Sequence, residues 1–293
     1  MRTNILCWTS HRIRWTTAAL AGALTLATVT GHAAPAGAPA EHTLVVCSPG
    51  SPGTSDEARA RMNAFAAAVS ARGGTRIAAI YEPAEDACVE RLGSAALGLV
   101  SLPFFLAHEH ELGLVPRLQV VAAGRPALDR WALVGPRGRI SGPGALAGYT
   151  IVSSAAYAPA FIRGVVVGGS GALPADVKLE QSTAVLSALR RAASGESVAV
   201  VLDGTQLAQL GSLPFASRLQ VIAQSPPVPA GLVVTVDARI PARAWSGLER
   251  ALVELSADRA AAPVLGAVEV ARFEPVDAAA LAQARRAFAG AQR

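Results

Sequence analysis

Short apolar runs alternate with helical patterns along residues 42–293, and this alternation constrains the fold more than any other feature. The apolar run His42–Cys47 is followed by a turn-rich loop, a capping box at 54–57 and apolar residues at helical spacing, Met62 and Phe65 among them. Strands that are apolar throughout, each followed by a helix, are typical of a parallel sheet covered on both faces. The sequence therefore predicts an α/β fold. Further strands are predicted at Arg76–Tyr81, Ala96–Ser101, Leu118–Ala123, Trp131–Gly135, Thr150–Ser153, Val177–Glu180, Val198–Leu202, Leu219–Ala223, Gly231–Val236 and Val268–Phe273, and helices at Glu85–Leu92, Pro103–Leu112, Pro159–Val167, Thr183–Ser194, Pro241–Ser256 and from Asp277.

The alternation stops once and then restarts, which predicts two lobes. A loop-rich stretch from Pro136 to Gly148 separates the two series of strands and helices. We assign residues 42–134 and 230–293 to lobe 1 and residues 135–229 to lobe 2, so that the chain crosses between the lobes twice. Two α/β lobes joined in this way form a cleft whose walls are strand ends and helix N-termini.

The first 33 residues have the pattern of a secretory signal peptide. Three arginines and no acid precede the apolar run Thr16–Thr30, and small residues around Ala33 provide a cleavage site. The run has about 15 residues, fewer than the roughly 20 that cross a bilayer, so a cleaved signal is favoured over a membrane anchor. Residues 34–41 are rich in Ala, Pro and Gly and would form a flexible tether. The mature protein is therefore expected in the periplasm.

Removal of the leader also changes the net charge. The full chain has 26 basic and 21 acidic residues, a net charge of +5. Three of the basic residues and none of the acidic ones lie in residues 1–33, which leaves 23 − 21 = +2 for the mature chain. Proteins that bind nucleic acid concentrate basic residues on one surface. The remaining charge gives no such stripe, and nucleic acid is not expected as a partner.

Two cysteines, Cys47 and Cys88, remain after the leader is removed. Cys47 ends a predicted strand and Cys88 lies on the helix after the neighbouring strand, so a disulfide is within reach in an oxidising compartment. Two buried free thiols are the alternative. The sequence contains no CxxC motif or Cys/His spacing of a zinc site. We expect no metal and no cofactor.

Polar and aromatic residues that follow predicted strands are the candidate ligand-binding residues. The carboxyl ends of strands face the cleft in open α/β sheets, and helix N-termini there favour anions. Asp203 ends a strand of lobe 2 and could accept a hydrogen bond from an amine or hydroxyl of a ligand. Helix capping is the alternative role for the hydroxyl and acidic residues, and core packing for Phe104. The candidates are Ser48, Ser101, Phe104, Ser153, Ser154, Tyr157, Ser182, Thr183 and Asp203.

The sequence gives little support to an enzyme. His108 and His110 are two positions apart on a predicted helix, so their side chains point about 200° apart and do not meet one ion. Gly168–Gly171 lacks the Lys-Ser/Thr pair of a phosphate-binding loop. Neither a G-x-S-x-G nor an HExxH motif is present. A non-enzymatic binding protein is therefore predicted.

Four stretches of the chain resemble the periplasmic substrate-binding proteins of phosphate, phosphite and phosphonate ABC transporters: residues 96–109, 131–154, 183–206 and 219–241. The last is the closest in pattern, with a Ser-Pro-Pro-Val-Pro turn before a crossing strand. The resemblance covers residues 42–277. It implies a type II periplasmic-binding fold with two α/β lobes, a central cleft and two crossing strands. It also implies ligand capture by closure of the lobes and a membrane permease as partner.

Two segments depart from that family pattern. Residues 153–157 keep two serines and a tyrosine but lack the glycine of the Ser/Thr-Ser-Gly-Tyr segment, and residues 181–183 replace a Gly-Ser-His segment. The predicted function is that of a monomeric, exported protein that captures a small, anionic molecule for an ABC transporter. The alternative is an envelope sensor or interaction module of the same fold that has no transport function.

Overall fold

The computed structural model describes residues 42–51, 53–236 and 239–292. The predicted leader, residues 1–33, and the predicted tether, residues 34–41, lie outside the described residues. Within the described part, no helix is both long enough and apolar enough to cross a bilayer.

The described residues form eleven strands and eight α-helices. The strands are β1 His42–Cys47, β2 Ile77–Glu82, β3 Leu97–Ser101, β4 Leu114–Val121, β5 Ala132–Pro136, β6 Thr150–Ser153, β7 Lys178–Gln181, β8 Val198–Leu202, β9 Leu219–Gln224, β10 Gly231–Val236 and β11 Arg272–Pro275. The helices are α1 Ser55–Gly73, α2 Glu85–Leu92, α3 Leu102–Leu112, α4 Val185–Ser194, α5 Gly204–Leu210, α6 Ala242–Ala257, α7 Ala262–Gly266 and α8 Ala278–Gly290.

The strands build two mixed sheets. The first has the order β11-β4-β10-β3-β1-β2 and the second the order β7-β6-β8-β5-β9. Strand β1 is parallel to β2 and β3, and β6 is parallel to β7 and β8, but β10 and β5 run antiparallel to both of their neighbours. The alternation of strands and helices predicted parallel sheets, whereas both sheets are mixed. A strand buried on both faces has the same apolar sequence in either direction, so its composition does not report its direction.

The chain crosses between the sheets at residues 122–131 and returns at residues 225–230. A two-residue bridge joins the crossings, since the backbone N–H groups of Asp129 and Val228 each donate to the other's carbonyl at 2.8 Å. Strand β5 lies in the second sheet. The boundary predicted between residues 134 and 135 therefore falls inside a strand, and the crossing comes earlier than predicted.

Local signals explain most element ends. Thr54 accepts a hydrogen bond from the Glu57 amide and the Glu57 side chain accepts one from the Thr54 amide, which is the predicted capping box of α1. Gly74 ends that helix in the left-handed conformation. Strand β4 begins four residues earlier than predicted, helix α4 two residues later, and α7 was not predicted. Two other elements differ in kind or in extent. The helix predicted at Pro159–Val167 is a π-helical segment, Phe161–Val166, and the strand predicted at Val268–Phe273 begins only at Arg272.

A disulfide joins Cys47 and Cys88, whose Cα atoms are 5.7 Å apart. Both cysteines are buried in the core between β1 and α2. Cys47 is the last residue of β1, so the disulfide holds the point at which the chain leaves the sheet. Ser48, a candidate ligand-binding residue, follows directly.

Candidate functional site

A cleft with a volume of about 220 Å³ lies where the two sheets face each other. Four strands end at its walls: Ser48 follows β1, Ser101 ends β3, Ser154 follows β6 and Asp203 follows β8. Residues of both crossings, Trp131 among them, complete the lining. A cavity of this volume has room for a small molecule. The topology therefore brings the carboxyl ends of strands from both sheets to one cavity.

Five of the nine predicted residues line this cleft: Ser48, Ser101, Ser154, Tyr157 and Asp203. The other four do not. Phe104 is fully buried in the core. The Ser153 hydroxyl is buried, donates to the Val201 carbonyl and accepts from the Ala155 amide. Helix α4 begins only at Val185, so Ser182 and Thr183 lie in the turn before it, where the Ser182 hydroxyl accepts from the Ala184 amide.

A hydrogen bond between side chains closes one side of the cleft. The Ser101 hydroxyl, at the end of β3, lies 3.1 Å from the Tyr157 hydroxyl, which follows β6 in the other sheet. Desolvation raises the pKa of Tyr157 well above its ordinary value, so the phenol stays protonated and able to donate. Nearby, a Cβ on Gly50 would lie 2.5 Å from the Ser154 carbonyl oxygen, which shows how closely the two halves approach. The two halves are therefore in direct contact at this side of the cleft.

Replacing Tyr157 by phenylalanine should shift the protein towards an open form. Loss of one hydrogen bond costs about 1 kcal/mol, which changes the ratio of closed to open molecules about fivefold. We expect a lower melting temperature and a larger radius of gyration in small-angle scattering. Tyr149→Phe is the matched control because Tyr149 does not line the cleft. If the two variants had the same radius of gyration and the same melting temperature, the hydrogen bond between Ser101 and Tyr157 would not stabilise the contact between the two halves.

Asp203 caps helix α5 at the cleft. Its carboxylate accepts from the Gln206 amide at 2.8 Å, and the Gln206 side chain accepts from the Asp203 amide, which makes a second capping box. Desolvation raises the pKa of the Asp203 carboxyl, the amides of Gln206 and Thr205 act in the opposite direction, and the charges of Asp129 and Glu269 raise it further. The N-terminus of α5 therefore already binds a carboxylate of the chain itself.

Asp129 and Glu269 also line the cleft, and neither was predicted. Asp129 is buried at the first crossing, where the Arg125 guanidinium donates to it through Nε at 3.0 Å and Nη2 at 2.5 Å. Glu269 lies in the segment predicted as a strand, and in the structure it precedes β11. Nothing in the local sequence places either residue beside Asp203, because both reach it only through tertiary contacts.

A family model described as "ABC transporter, phosphonate, periplasmic substrate-binding protein" matches residues 51–281. No curated protein is similar enough in sequence to count as a relative. Among solved structures, XAC2383 from Xanthomonas citri bound to ATP has a TM-score of 0.67 at 16% identity, covering 86% of this chain and 98% of that one.

Two further solved structures have the same fold. The binding protein component of an ABC phosphonate transporter from Pseudomonas aeruginosa has a TM-score of 0.60 at 15% identity, covering 86% of this chain and 87% of that one. PhnD1 from Prochlorococcus marinus in complex with methylphosphonate has a TM-score of 0.58 at 14% identity, covering 86% of this chain and 99% of that one. At these identities the likeness shows the fold.

Proposed function

The chain belongs to the family of periplasmic substrate-binding proteins of phosphonate ABC transporters, and we propose that it captures its ligand in the cleft between the two sheets and presents it to a membrane permease. The observation that supports this most directly is the convergence of four strand ends from two sheets on one cavity of about 220 Å³. Ser48, Ser101, Ser154, Tyr157 and Asp203 are the ligand-contacting residues in this proposal.

Ligand capture works by a shift between open and closed forms. A ligand that contacts both sheets binds the closed form better and so raises its population. The hydrogen bond between Ser101 and Tyr157 exists only when the halves are together, so it adds to the closed form that the ligand selects. The two crossings, which are bridged at Asp129 and Val228, connect the halves. The opening and closing motion would occur about these crossings.

Three finer points complete the proposal. The leader, residues 1–33, is cleaved on export and the mature protein acts in the periplasm. The protein works as a monomer, without catalysis and without nucleic acid. The disulfide between Cys47 and Cys88 supports export, because disulfides persist in oxidising compartments.

Asp203→Asn tests the role of this cleft in ligand binding. Asparagine caps a helix as well as aspartate does, so stability should be retained. Asparagine cannot make the charge-assisted hydrogen bond that the Asp203 carboxylate would make to the ligand. The affinity for the ligand should therefore fall about tenfold or more, as measured by calorimetry. Asp277→Asn is the matched control because Asp277 caps α8 and does not line the cleft.

The ligand itself would come from a thermal-shift panel of small phosphonates, sulfonates and amino acids, followed by calorimetry. No stabilisation by any of these compounds, or equal affinities for the Asp203→Asn and Asp277→Asn variants, would contradict the proposal. Uptake of the identified ligand, lost on deletion of the gene, separates transport from the role of an envelope sensor.

A further inference from the structure

A second cavity, larger than the cleft, lies beside the second crossing. Its volume is about 620 Å³, within the range of about 300–1,000 Å³ that is usual for ligand sites. Three parts of the chain line it: the π-helical segment with the glycine-rich loop 168–171, the second crossing, and helix α8. No described residue lines both this cavity and the cleft. The bridged pair Asp129 and Val228 lies between them, because Asp129 lines the cleft and Val228 lines the second cavity.

The charged side chains at this second cavity are both basic. Its described lining contains Arg163 and Arg286 and no Asp or Glu. Neither guanidinium group has an ion pair or a hydrogen bond within the part of the chain that the structure describes. Arg285, the neighbour of Arg286, by contrast pairs with Glu109 at 2.8 Å. Two guanidinium groups at one cavity repel each other, and an anion bound between them would replace that repulsion by two attractions.

A close approach of two backbone segments brings these arginines together. Helix α8 packs against the π-helical segment with no room for a side chain at Gly164, where a Cβ would lie 2.1 Å from the Ala287 carbonyl oxygen. Arg163 directly precedes Gly164, and Arg286 directly precedes Ala287. The same backbone contact therefore holds both arginines at one cavity, although they belong to different elements.

The glycine-rich loop adds backbone donors beside the arginines. Gly168, Gly169 and Gly171 line the cavity. The Ser170 amide donates to the Val167 carbonyl at 2.8 Å, whereas the amides of Gly169 and Gly171 donate to no carbonyl of the described residues. A Cβ on either of these two glycines would meet no atom within 4 Å, so the loop leaves space for a ligand. Backbone N–H groups in such loops bind anions in many proteins.

We propose that this cavity is a second binding site, in which Arg163, Arg286 and the amides of loop 168–171 bind a phosphate-type oxyanion. The guanidinium group presents paired N–H donors that match the oxygen atoms of a phosphate. The loop lacks the lysine of a phosphate-binding loop, and the fold supplies the cations from the π-helical segment and α8 instead. A free phosphate ion and the headgroup of an acidic phospholipid offer the same chemistry, and the experiment below distinguishes them.

Calorimetry with inorganic phosphate and pyrophosphate tests the site, with the ionic strength held constant by sodium chloride. Both anions should bind to the mature chain. Arg286→Gln should lower the affinity about tenfold or more, as expected for the loss of charge-assisted hydrogen bonds, and Arg163→Gln with Arg286→Gln should remove measurable binding. Because Arg286 is exposed, the single variant should keep the fold.

The matched control is the double variant Arg190→Gln with Arg250→Gln. It removes the same charge from exposed positions on α4 and α6 that do not line the cavity, and it should leave both affinities unchanged. Asp203→Asn, which alters the cleft, should also leave the affinity for pyrophosphate unchanged.

Co-sedimentation with vesicles identifies the source of the oxyanion. Binding to phosphatidylglycerol vesicles but not to phosphatidylcholine vesicles, lost with Arg163→Gln and Arg286→Gln and kept in the control, assigns a lipid headgroup. Phosphate binding without vesicle binding assigns the free ion.

Three results would overturn the proposal. The first is that the wild-type chain binds neither anion and no phosphatidylglycerol vesicle. The second is equal affinity for pyrophosphate in the variant lacking Arg163 and Arg286 and in its control. The third is a loss of pyrophosphate binding in Asp203→Asn, which would place the anion in the cleft. None of them bears on capture of a ligand by the cleft, which is tested separately.

Discussion

Replacing Cys47 and Cys88 together by alanine is expected to lower the free energy of unfolding by about 4 kcal/mol. The disulfide closes a loop between cysteines 41 positions apart, and loss of such a constraint stabilises the unfolded chain by about that amount in the chain-entropy description. The change should also loosen the end of β1, which leads directly to Ser48 at the cleft. We therefore expect weaker ligand binding as well as lower stability.

Denaturant unfolding with and without reductant measures this contribution. Reductant should bring the wild-type protein to the stability of the double alanine variant and should leave that variant unchanged. A difference of less than about 1 kcal/mol between the wild-type protein and the variant, both without reductant, would contradict a stabilising disulfide.

Gly204→Ala is expected to destabilise the protein by about 1–3 kcal/mol, the range for overpacking, and to abolish measurable ligand binding. A Cβ at this position would lie 1.9 Å from Oδ1 and 2.0 Å from Oδ2 of Asp129. The carboxylate cannot retreat freely, because Arg125 donates to both oxygens and the Arg130 amide donates to Oδ1. The backbone of Asp129 is bridged to Val228, so the clash would displace both crossings as well as the start of α5.

Gly211→Ala at the opposite end of α5 is the control for this prediction. Gly211 has a right-handed conformation with a φ of −64°, and a Cβ there would meet no atom within 4 Å. Alanine at such a position is neutral or stabilises by about 0.4–1 kcal/mol. Thermal unfolding should therefore show a lower melting temperature for Gly204→Ala and an unchanged or higher one for Gly211→Ala. Calorimetry should show that only Gly211→Ala still binds the ligand. Equal stability and equal ligand affinity would show that Asp129 moves aside without consequence.

Local sequence patterns were sufficient for many of the elements. β1, α2, β8 and β10 lie at the predicted residues, because uninterrupted apolar runs and helix-end residues are signals that act within a few positions. The ends of strands were located well enough to identify Ser48, Ser101, Ser154, Tyr157 and Asp203, all of which line the cleft. The family resemblance likewise pointed to the type II fold.

The neighbours Ser153 and Ser154 mark the limit of that reasoning. Successive side chains at a strand end point to opposite sides, so one serine is buried against Val201 while the next faces the cleft. The sequence showed two equivalent hydroxyls. Only the packing of the two sheets decides which of them faces the cleft.

The sequence by itself predicted two α/β halves and the strand ends at which a ligand site would form, and it predicted two crossings although it placed the first of them too late. The tertiary structure decided the direction of β5 and β10, the hydrogen bond between Ser101 and Tyr157, and the meeting of Asp129, Asp203 and Glu269 in one cavity. The physical reason is the range of the forces involved. Apolar periodicity and helix capping act over a few residues, whereas the charge of the cleft is the sum of side chains that become neighbours only after both sheets have packed.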